Sequence, residues 1–207
     1  GFGQTGPGGV GSPATNVLWL KADAIIQADN TPVANWADVS GNAHDFSMAV
    51  AGNQPLFRLN ILGFPSISLN GTSHYLEDSD GESYINGLTA LSLFSVTKAN
   101  NTNIEKGFFS SSSNNSNDEA LSVRYDKAGA QNGDFYVELI KIGIGLSGNA
   151  YESGQYVQTT NNQMIGVQWI GSQNASMYLN GFFNTATSNL TSNNASINNS
   201  DLVRIGR

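Results

Sequence analysis

The sequence predicts an all-β protein with an antiparallel β-sandwich fold, and three observations support this. Apolar and polar residues alternate with the period of two that is typical of strands with one buried face. Twenty-three glycines and repeated Asn-Gly and Ser-Gly pairs favour many tight turns. We find no convincing helical periodicity along the 207 residues. Short strands without helical crossovers are typical of antiparallel sheets packed face to face.

The individual strands follow from alternation and from apolar runs bounded by turn residues. LSLFSVTK places Phe94 and Val96 on one face and leucines on the other, which predicts a central strand that is apolar on both sides. SMYLNGFFNTA carries Asn180-Gly181 between two apolar runs, which predicts a type I′ hairpin. The predicted strands are VLWLKA (17–22), PSISLNG (65–71), LSLFSVTK (91–98), GFFSSS (107–112), ALSVRY (120–125), FYVELI (135–140), MIGVQWI (164–170), SMYLNGFFNTA (176–186) and LVRIG (202–206).

Polar segments at 111–118, 147–155 and 188–200 lack the apolar residues for a core and are predicted surface loops. The first segment, GFGQTGPGGVGSPATN, is rich in Gly and Pro and predicts a flexible N-terminal arm over residues 1–16. It shows no signal-peptide pattern. Residues 17–207 are predicted to form one β-sandwich domain, because all-β chains of this length are commonly single domains.

The charge balance narrows the range of partners. Only 12% of the residues are charged, against about 25% in an average globular domain. Nine basic and 16 acidic residues give a net charge of −7, which argues against nucleic acid and anionic membranes as partners. No cysteine is present, so disulfides and thiolate metal sites are excluded. No apolar run approaches the roughly 20 residues of a membrane-spanning helix.

Several motifs in order resemble one family. LWLKADA, WADVSGN, QPLF, GFPSISLNGTSHYL, LSLFSVTK, GVQWIGSQNASMYLNG and VRIGR together resemble laminin-G-like, concanavalin A-like jelly-roll domains of secreted Bacteroidetes surface proteins. The resemblance covers residues 17–207 and implies a jelly-roll sandwich. Members of the family usually continue past IGR into one further strand, so we expect this chain to lack its closing strand.

The resemblance implies a binding or adhesion module of a secreted or cell-surface bacterial protein that recognises glycans or other surface proteins. A structural subunit of a surface assembly, completed by a β-strand from a partner chain, is the alternative. A third hypothesis is that the chain is a glycan hydrolase. The fold hosts all of these activities, so the fold alone does not name one.

The tryptophans are the first candidate site residues. Trp19 alternates with leucines, which predicts a core position. Trp36 is either the plug of a loop braced by the side chains of Asp38, Ser40 and Asn42, or a flat platform for a sugar ring.

The acidic cluster EDSDGESY contains Asp78, Asp80 and Glu82, whose oxygens suit Ca²⁺. The alternative to a calcium site is an acidic turn exposed to solvent. The same spacing resembles the paired carboxylates of jelly-roll glucanases, but retaining hydrolysis needs two carboxyls about 5 Å apart. A turn containing Gly81 does not hold that register, so we predict no catalytic residues.

Tyr84, Tyr151 and Tyr156 lie in or beside polar segments and, with Trp36, are the predicted ligand-binding residues, although any one of them could simply cover a loop. His44 and His74 fall in separate motifs without a catalytic partner pattern and are predicted to be hydrogen-bonded loop residues.

Overall fold

The computed structural model describes residues 6, 12, 14–61, 63–100, 106–112, 119–125, 135–139, 149–153, 160–170, 175–187 and 202–206. Within them the protein is built from antiparallel β-sheets, which confirms the predicted fold class. Helix is confined there to one α-helix, α1 (Glu82–Ile85), and to 3-10 turns at Ala22–Ala24 and Ala51–Asn53. No helix in these residues is long and apolar enough to cross a membrane.

The chain forms two compact units, the first of which comprises Gly1–Asp80 with Arg204–Arg207. Strands β1, β2 and β5 pair side by side in antiparallel fashion, and β3 and β4 form a separate hairpin. The core of the unit is made by Val33, Phe46, Met48, Phe57 and Leu76, all buried. The strands are β1 (Asn35–Trp36), β2 (Phe46–Ser47), β3 (Leu56–Ile61), β4 (Phe64–Ser68) and β5 (Leu76–Asp78).

The second unit, Gly81–Val203, contains two sheets. One has the order β7-β8-β9-β10, the other the order β13-β12-β11-β6, and β10 contacts β13. The strands are β6 (Ala90–Lys98), β7 (Lys106–Ser112), β8 (Glu119–Tyr125), β9 (Phe135–Leu139), β10 (Asn149–Ser153), β11 (Asn162–Ile170), β12 (Ala175–Leu179), β13 (Phe182–Thr187) and β14 (Leu202–Ile205). The boundary between the units falls within β14.

The four-stranded sheet of the second unit buries one face only. In β11, Ile165, Val167 and Trp169 are buried, whereas Met164 and Gln168, at alternate positions, are exposed. Successive side chains of a strand point to opposite faces, so the inward residues form the core and the outward residues form a surface. This division is what a layer of a sandwich requires.

Most predicted strands are confirmed. The segments at 65–71, 91–98, 107–112, 120–125, 135–140, 164–170 and 202–206 each contain a strand within one to three residues of the predicted ends. The type I′ hairpin at 176–186 is also confirmed, because Asn180 and Gly181 have φ values of 53° and 83°. The arm over residues 1–16 and the single domain over 17–207 stay predictions.

Four predictions about the elements are wrong. The polar segment at 147–155, a predicted surface loop, contains strand β10. Residues 17–22 do not form a strand: Leu20 makes only an isolated bridge to Asp38, and the Trp19 N–H donates to the Asp38 carboxylate instead of to a neighbouring strand. Strand β6 lies at the edge of its described sheet and not at the centre, with Phe94 and Val96 exposed. The acidic segment continues into a helix at Glu82 that periodicity did not reveal.

Candidate functional site

A single carboxylate organises the loop that contains Asp38. Its Oδ1 accepts hydrogen bonds from the backbone N–H groups of Trp19 and Ser40, both at 2.9 Å. Its Oδ2 accepts from the Ser40 hydroxyl at 2.6 Å and from the His44 N–H at 3.3 Å. Burial alone would raise the pKa of Asp38, but these four donors prevail and hold the pKa of the carboxyl below its usual value. The prediction of a loop braced by side-chain hydrogen bonds is therefore confirmed.

Trp36 is part of the same braced loop. Its indole N–H donates to the carbonyl of Lys21 at 3.0 Å, and the side chain is half-buried. Asn42 adds a further brace, because its amide donates to the Val17 carbonyl at 3.0 Å. Trp19 is half-buried instead of being a core residue, with the Lys21 ammonium 5.1 Å from its ring centroid. The geometry assigns these groups to holding the loop, and a role of Trp36 in ligand binding stays a prediction.

The carboxylates of the predicted calcium site have different environments. Asp78 is buried at the end of β5, with its Oδ1 accepting from the Asp80 N–H at 3.0 Å. Its Oδ2 lies 3.6 Å from Nδ1 of His44. Asp80 is exposed in the turn that follows, and Glu82 begins α1, its side chain lying outside the described part of the structure. Within the described residues, no group of three or more His, Asp and Glu side chains is placed to hold a metal ion. The calcium site stays a prediction.

The predicted tyrosines are placed on regular elements where they are described. Tyr84 lies in α1 with its hydroxyl oxygen buried, so it is not a loop residue with an exposed hydroxyl. Tyr151 belongs to β10, and its side chain lies outside the described residues, as does the whole of Tyr156. Trp36 and Tyr84, whose side chains are described, belong to different units, and a ligand-binding role of the four predicted residues stays a prediction.

The described surface has a different candidate on the outward face of the four-stranded sheet. Phe94 and Val96 of β6 are 66% and 74% exposed, and Phe183 of β13 is 57% exposed. Met164 of β11 is also exposed, at 43%. Single exposed apolar residues are common, but a contiguous exposed apolar patch marks a binding surface.

Strand register places the aromatic residues of this face in one row. Gly166 is the cross-strand partner of both Phe94 and Tyr178, and Tyr178 is the partner of Phe183. The rings of Tyr178 and Phe183 meet edge to face, with centroids 5.7 Å apart and planes at 66°. We call Phe94, Tyr178 and Phe183 the aromatic row; it runs across the strands.

The absence of a side chain at Gly166 allows the Phe94 ring to approach Tyr178 closely. A Cβ added there would lie 3.2 Å from Cε1 of Phe94 and 3.3 Å from Cβ of Tyr178, distances that force a neighbour to give way. The Phe94 ring therefore lies against the backbone of β11, in the gap between its own strand and Tyr178. A glycine inside a strand weakens the strand, and here it allows the close approach of a ring.

The rows on either side of the aromatic row differ in polarity. Val96 and Met164 are cross-strand partners and form an apolar edge. On the other side Ser92, Gln168 and Ser176 are partners across β6, β11 and β12 and form a polar edge. The Tyr178 hydroxyl donates to Oε1 of the exposed Gln168 at 3.1 Å, and the pair still has an acceptor, the hydroxyl oxygen, and a donor, the amide NH₂, to offer a ligand.

Sequence reasoning missed this site although it noted two of its residues. Alternation places Phe94 and Val96 on one face of β6 but predicts that both faces of this strand are buried. One signal was present: residues 178 and 183 are symmetric about Asn180-Gly181, so a two-residue hairpin places Tyr178 opposite Phe183. The pairing of β11 with β6, which completes the row, leaves no local mark in the sequence.

Comparisons with known proteins match the fold and not the sequence. No protein-family model matches the chain, and no curated protein matches it. The binding domain of Paraclostridial Mosquitocidal Protein 1 superposes with a TM-score of 0.60 at 13% identity, over 86% of this chain and 43% of that chain. The botulinum neurotoxin serotype G binding domain gives 0.57 at 18% identity, over 82% of this chain and 40% of that one. The chain thus spans about two fifths of the length of these binding domains.

A third structure is similar over nearly its full length. Domain 4 of an extracellular arabinanase from Geobacillus stearothermophilus, solved in complex with arabinotriose, gives a TM-score of 0.55 at 12% identity. The match covers 86% of this chain and 84% of that chain. At these identities the likeness is one of fold, and the chain has a β-sandwich fold like that of these domains.

Proposed function

We propose that the chain is a non-catalytic carbohydrate-binding module. The aromatic row carries this proposal, because the exposed rings of Phe94 and Phe183, with the half-buried Tyr178 between them, offer an apolar surface that the C–H face of a sugar ring can cover. The polar edge beside the row supplies hydrogen-bonding groups for the hydroxyls at the rim of such a ring. An apolar surface with a few placed polar groups is the general form of a small-ligand site.

The chemistry of the face and the structural neighbours support binding rather than catalysis. Glycoside hydrolysis needs a pair of carboxyl groups beside the bond that is cut. Among the described outward residues of β6, β11, β12 and β13 none carries a carboxyl group. The neighbours include toxin binding domains and an arabinanase domain solved with arabinotriose.

The finer features of the proposal rest on the resemblance of the sequence motifs. We assign the chain to the laminin-G-like, concanavalin A-like jelly rolls of secreted or cell-surface bacterial proteins, with a glycan or another cell-surface protein as its partner. Antibody labelling of intact cells that produce the protein tests this location, and protein found only inside the cells would contradict it.

The function is tested on a glycan array with the purified chain and two variants. We expect the chain to bind at least one class of glycan. Phe183→Ala should lose this binding because one of the three rings of the aromatic row is removed. Phe182→Ala is the matched control: strand alternation places its ring on the other side of β13, so binding is retained. Equal loss in both variants, or binding by neither the chain nor its variants, contradicts the proposal.

Calcium is part of the proposal through Asp78, Asp80 and Glu82. If these oxygens bind Ca²⁺ only in the folded chain, millimolar calcium raises the melting temperature by mass action. Asp80→Asn, which changes an exposed carboxylate, should abolish that rise without altering the melting temperature in chelator. No melting shift in millimolar calcium removes the metal from the proposal.

The alternative, a subunit completed by a partner strand, predicts a different result. Sedimentation of such a subunit would show an assembly, or the chain would capture a synthetic peptide strand, without any glycan bound. A monodisperse monomer that binds glycan excludes it.

A further inference from the structure

Two of the three residues of the aromatic row, Tyr178 and Phe183, lie in a long uncharged segment of the chain. Residues 153–200, which include β11, β12 and β13, contain no Asp, Glu, Lys, Arg or His. A stretch of that length with average composition would carry about twelve charged residues. Strand β6 adds one, Lys98, at its last position. The charges of a chain with net charge −7 are thus concentrated elsewhere in the sequence.

This neutrality limits the ligand. Recognition of a carboxylate, sulfate or phosphate relies on Arg, Lys or clustered backbone N–H groups at the site. The described outward residues around the row offer hydroxyls, amides and rings, with Lys98 as their single cation. These groups match a ligand that has hydroxyls and C–H faces but no charge.

The direction of the row sets the shape of the ligand. Phe94 and Phe183 belong to the two outer strands of the described sheet, which lie about three strand spacings, roughly 14 Å, apart. Tyr178 stands between them, and Gly166 leaves no side chain to interrupt the row. The surface is a strip with one apolar edge, Val96 and Met164, and one polar edge centred on Gln168.

We propose that the row binds an uncharged, extended oligosaccharide that crosses the strands, with several sugar rings in contact and their hydroxyl-bearing rims directed to the Gln168 edge. This inference rests on the proposed carbohydrate-binding function and adds the charge, length and direction of the ligand. A single terminal sugar would use one ring of the row, and an acidic glycan would find no cationic partner beside Tyr178 and Phe183 among the described residues of the sheet.

The charge of the ligand is tested by affinity electrophoresis in native gels. The neutral probes are arabinan, arabinoxylan, mixed-linkage β-glucan and galactomannan; the acidic probes are polygalacturonate and alginate. We expect retardation by at least one neutral probe, unchanged between 0.05 and 0.5 M NaCl because no ion pair is screened. Lys98→Gln should change the affinity less than twofold. Retardation by acidic probes alone, or a tenfold loss in salt, overturns the inference.

The length and direction are tested by calorimetry with oligosaccharides cut from the polysaccharide that binds. We expect the affinity for the pentasaccharide to exceed that for the disaccharide at least tenfold. Tyr178→Ala should weaken both at least tenfold, whereas Phe94→Ala should remove the gain with length. Phe182→Ala, on the other side of β13, should leave both affinities within twofold.

Each outcome separates this inference from the function on which it rests. Equal affinity for disaccharide and pentasaccharide, or binding of acidic probes alone, overturns the inference and leaves a carbohydrate-binding module. No binding of any carbohydrate overturns both. A dimer in sedimentation that Phe183→Ala dissociates would show that a second copy of the chain covers the row, which also overturns both.

Discussion

At the scale of the residue, the Asp38 carboxylate organises its loop in the first unit through hydrogen bonds. Four donors converge on its two oxygens, and removing the charge leaves at least one of them without a full acceptor. We expect Asp38→Asn to lower the free energy of unfolding by about 2 kcal/mol, measured by urea denaturation.

Asp23→Asn is the control for Asp38→Asn. The Asp23 carboxylate is exposed and lies 3.6 Å from the Lys21 ammonium, a surface pair worth about 0.5 kcal/mol or less. If the two substitutions cost the same, the braced loop does not contribute to stability as argued.

Gly81 is a position where adding a single Cβ atom is expected to lower stability. A Cβ there would lie 2.7 Å from the backbone carbon of Leu202 and from the backbone nitrogen of Val203. Backbone atoms of a paired strand cannot swing aside, so we expect Gly81→Ala to cost about 2 to 3 kcal/mol. Gly52→Ala, with nothing within 4 Å, should change the unfolding free energy by less than about 0.5 kcal/mol. A tolerated Gly81→Ala would contradict the packing of β14 against this turn.

At the scale of the element, the β12–β13 hairpin holds the register of the aromatic row. Gly181 has φ of 83°, and Asn180 accepts a hydrogen bond from the Met164 N–H at 2.9 Å through its side chain. We expect Gly181→Ala to cost about 1 kcal/mol in thermal or urea unfolding, because an alanine Cβ clashes in the left-handed region. Gly181→Asn should cost less, since Asn tolerates that region. Equal costs would mean that side-chain size and not φ is decisive.

The elements also show what the sequence could predict. Alternation located β6 and β11, and the Asn-Gly pair located the hairpin, because these signals are local. Alternation gave a wrong prediction at residues 17–22. The pattern there is strand-like, but the Trp19 N–H donates to the Asp38 side chain and not to a partner strand. It assigned Phe94 to a buried face because apolar alternation reports which residues share a face and not whether another layer covers it. The row itself depends on long-range pairing.

At the scale of the whole molecule, pH should modulate stability through two carboxylates. The hydrogen bond from the Leu59 N–H lowers the pKa of Asp29, and the four donors at Asp38 lower the pKa of that carboxyl. A lowered pKa in the folded state means that protonation favours unfolding. The stabilisation is therefore complete above the unfolded value of about 3.9 and is lost as the pH falls through the lower folded values.

Melting temperatures measured from pH 6 to pH 2.5 check this. We expect a decline that begins near pH 4 and is shallower in Asp38→Asn, which has one carboxylate fewer to protonate. A flat profile across that range, or an identical slope in the variant, would show that Asp38 has the same proton affinity in both states.

The aromatic row projects from strands that are hydrogen-bonded to one another, so the sheet and not a loop fixes its spacing. The three ring positions are exposed or half-exposed, and the core on the far side of the sheet does not depend on them. Substitutions at these three positions, in evolution or by design, can therefore change which ligand is bound while the sheet stays the same.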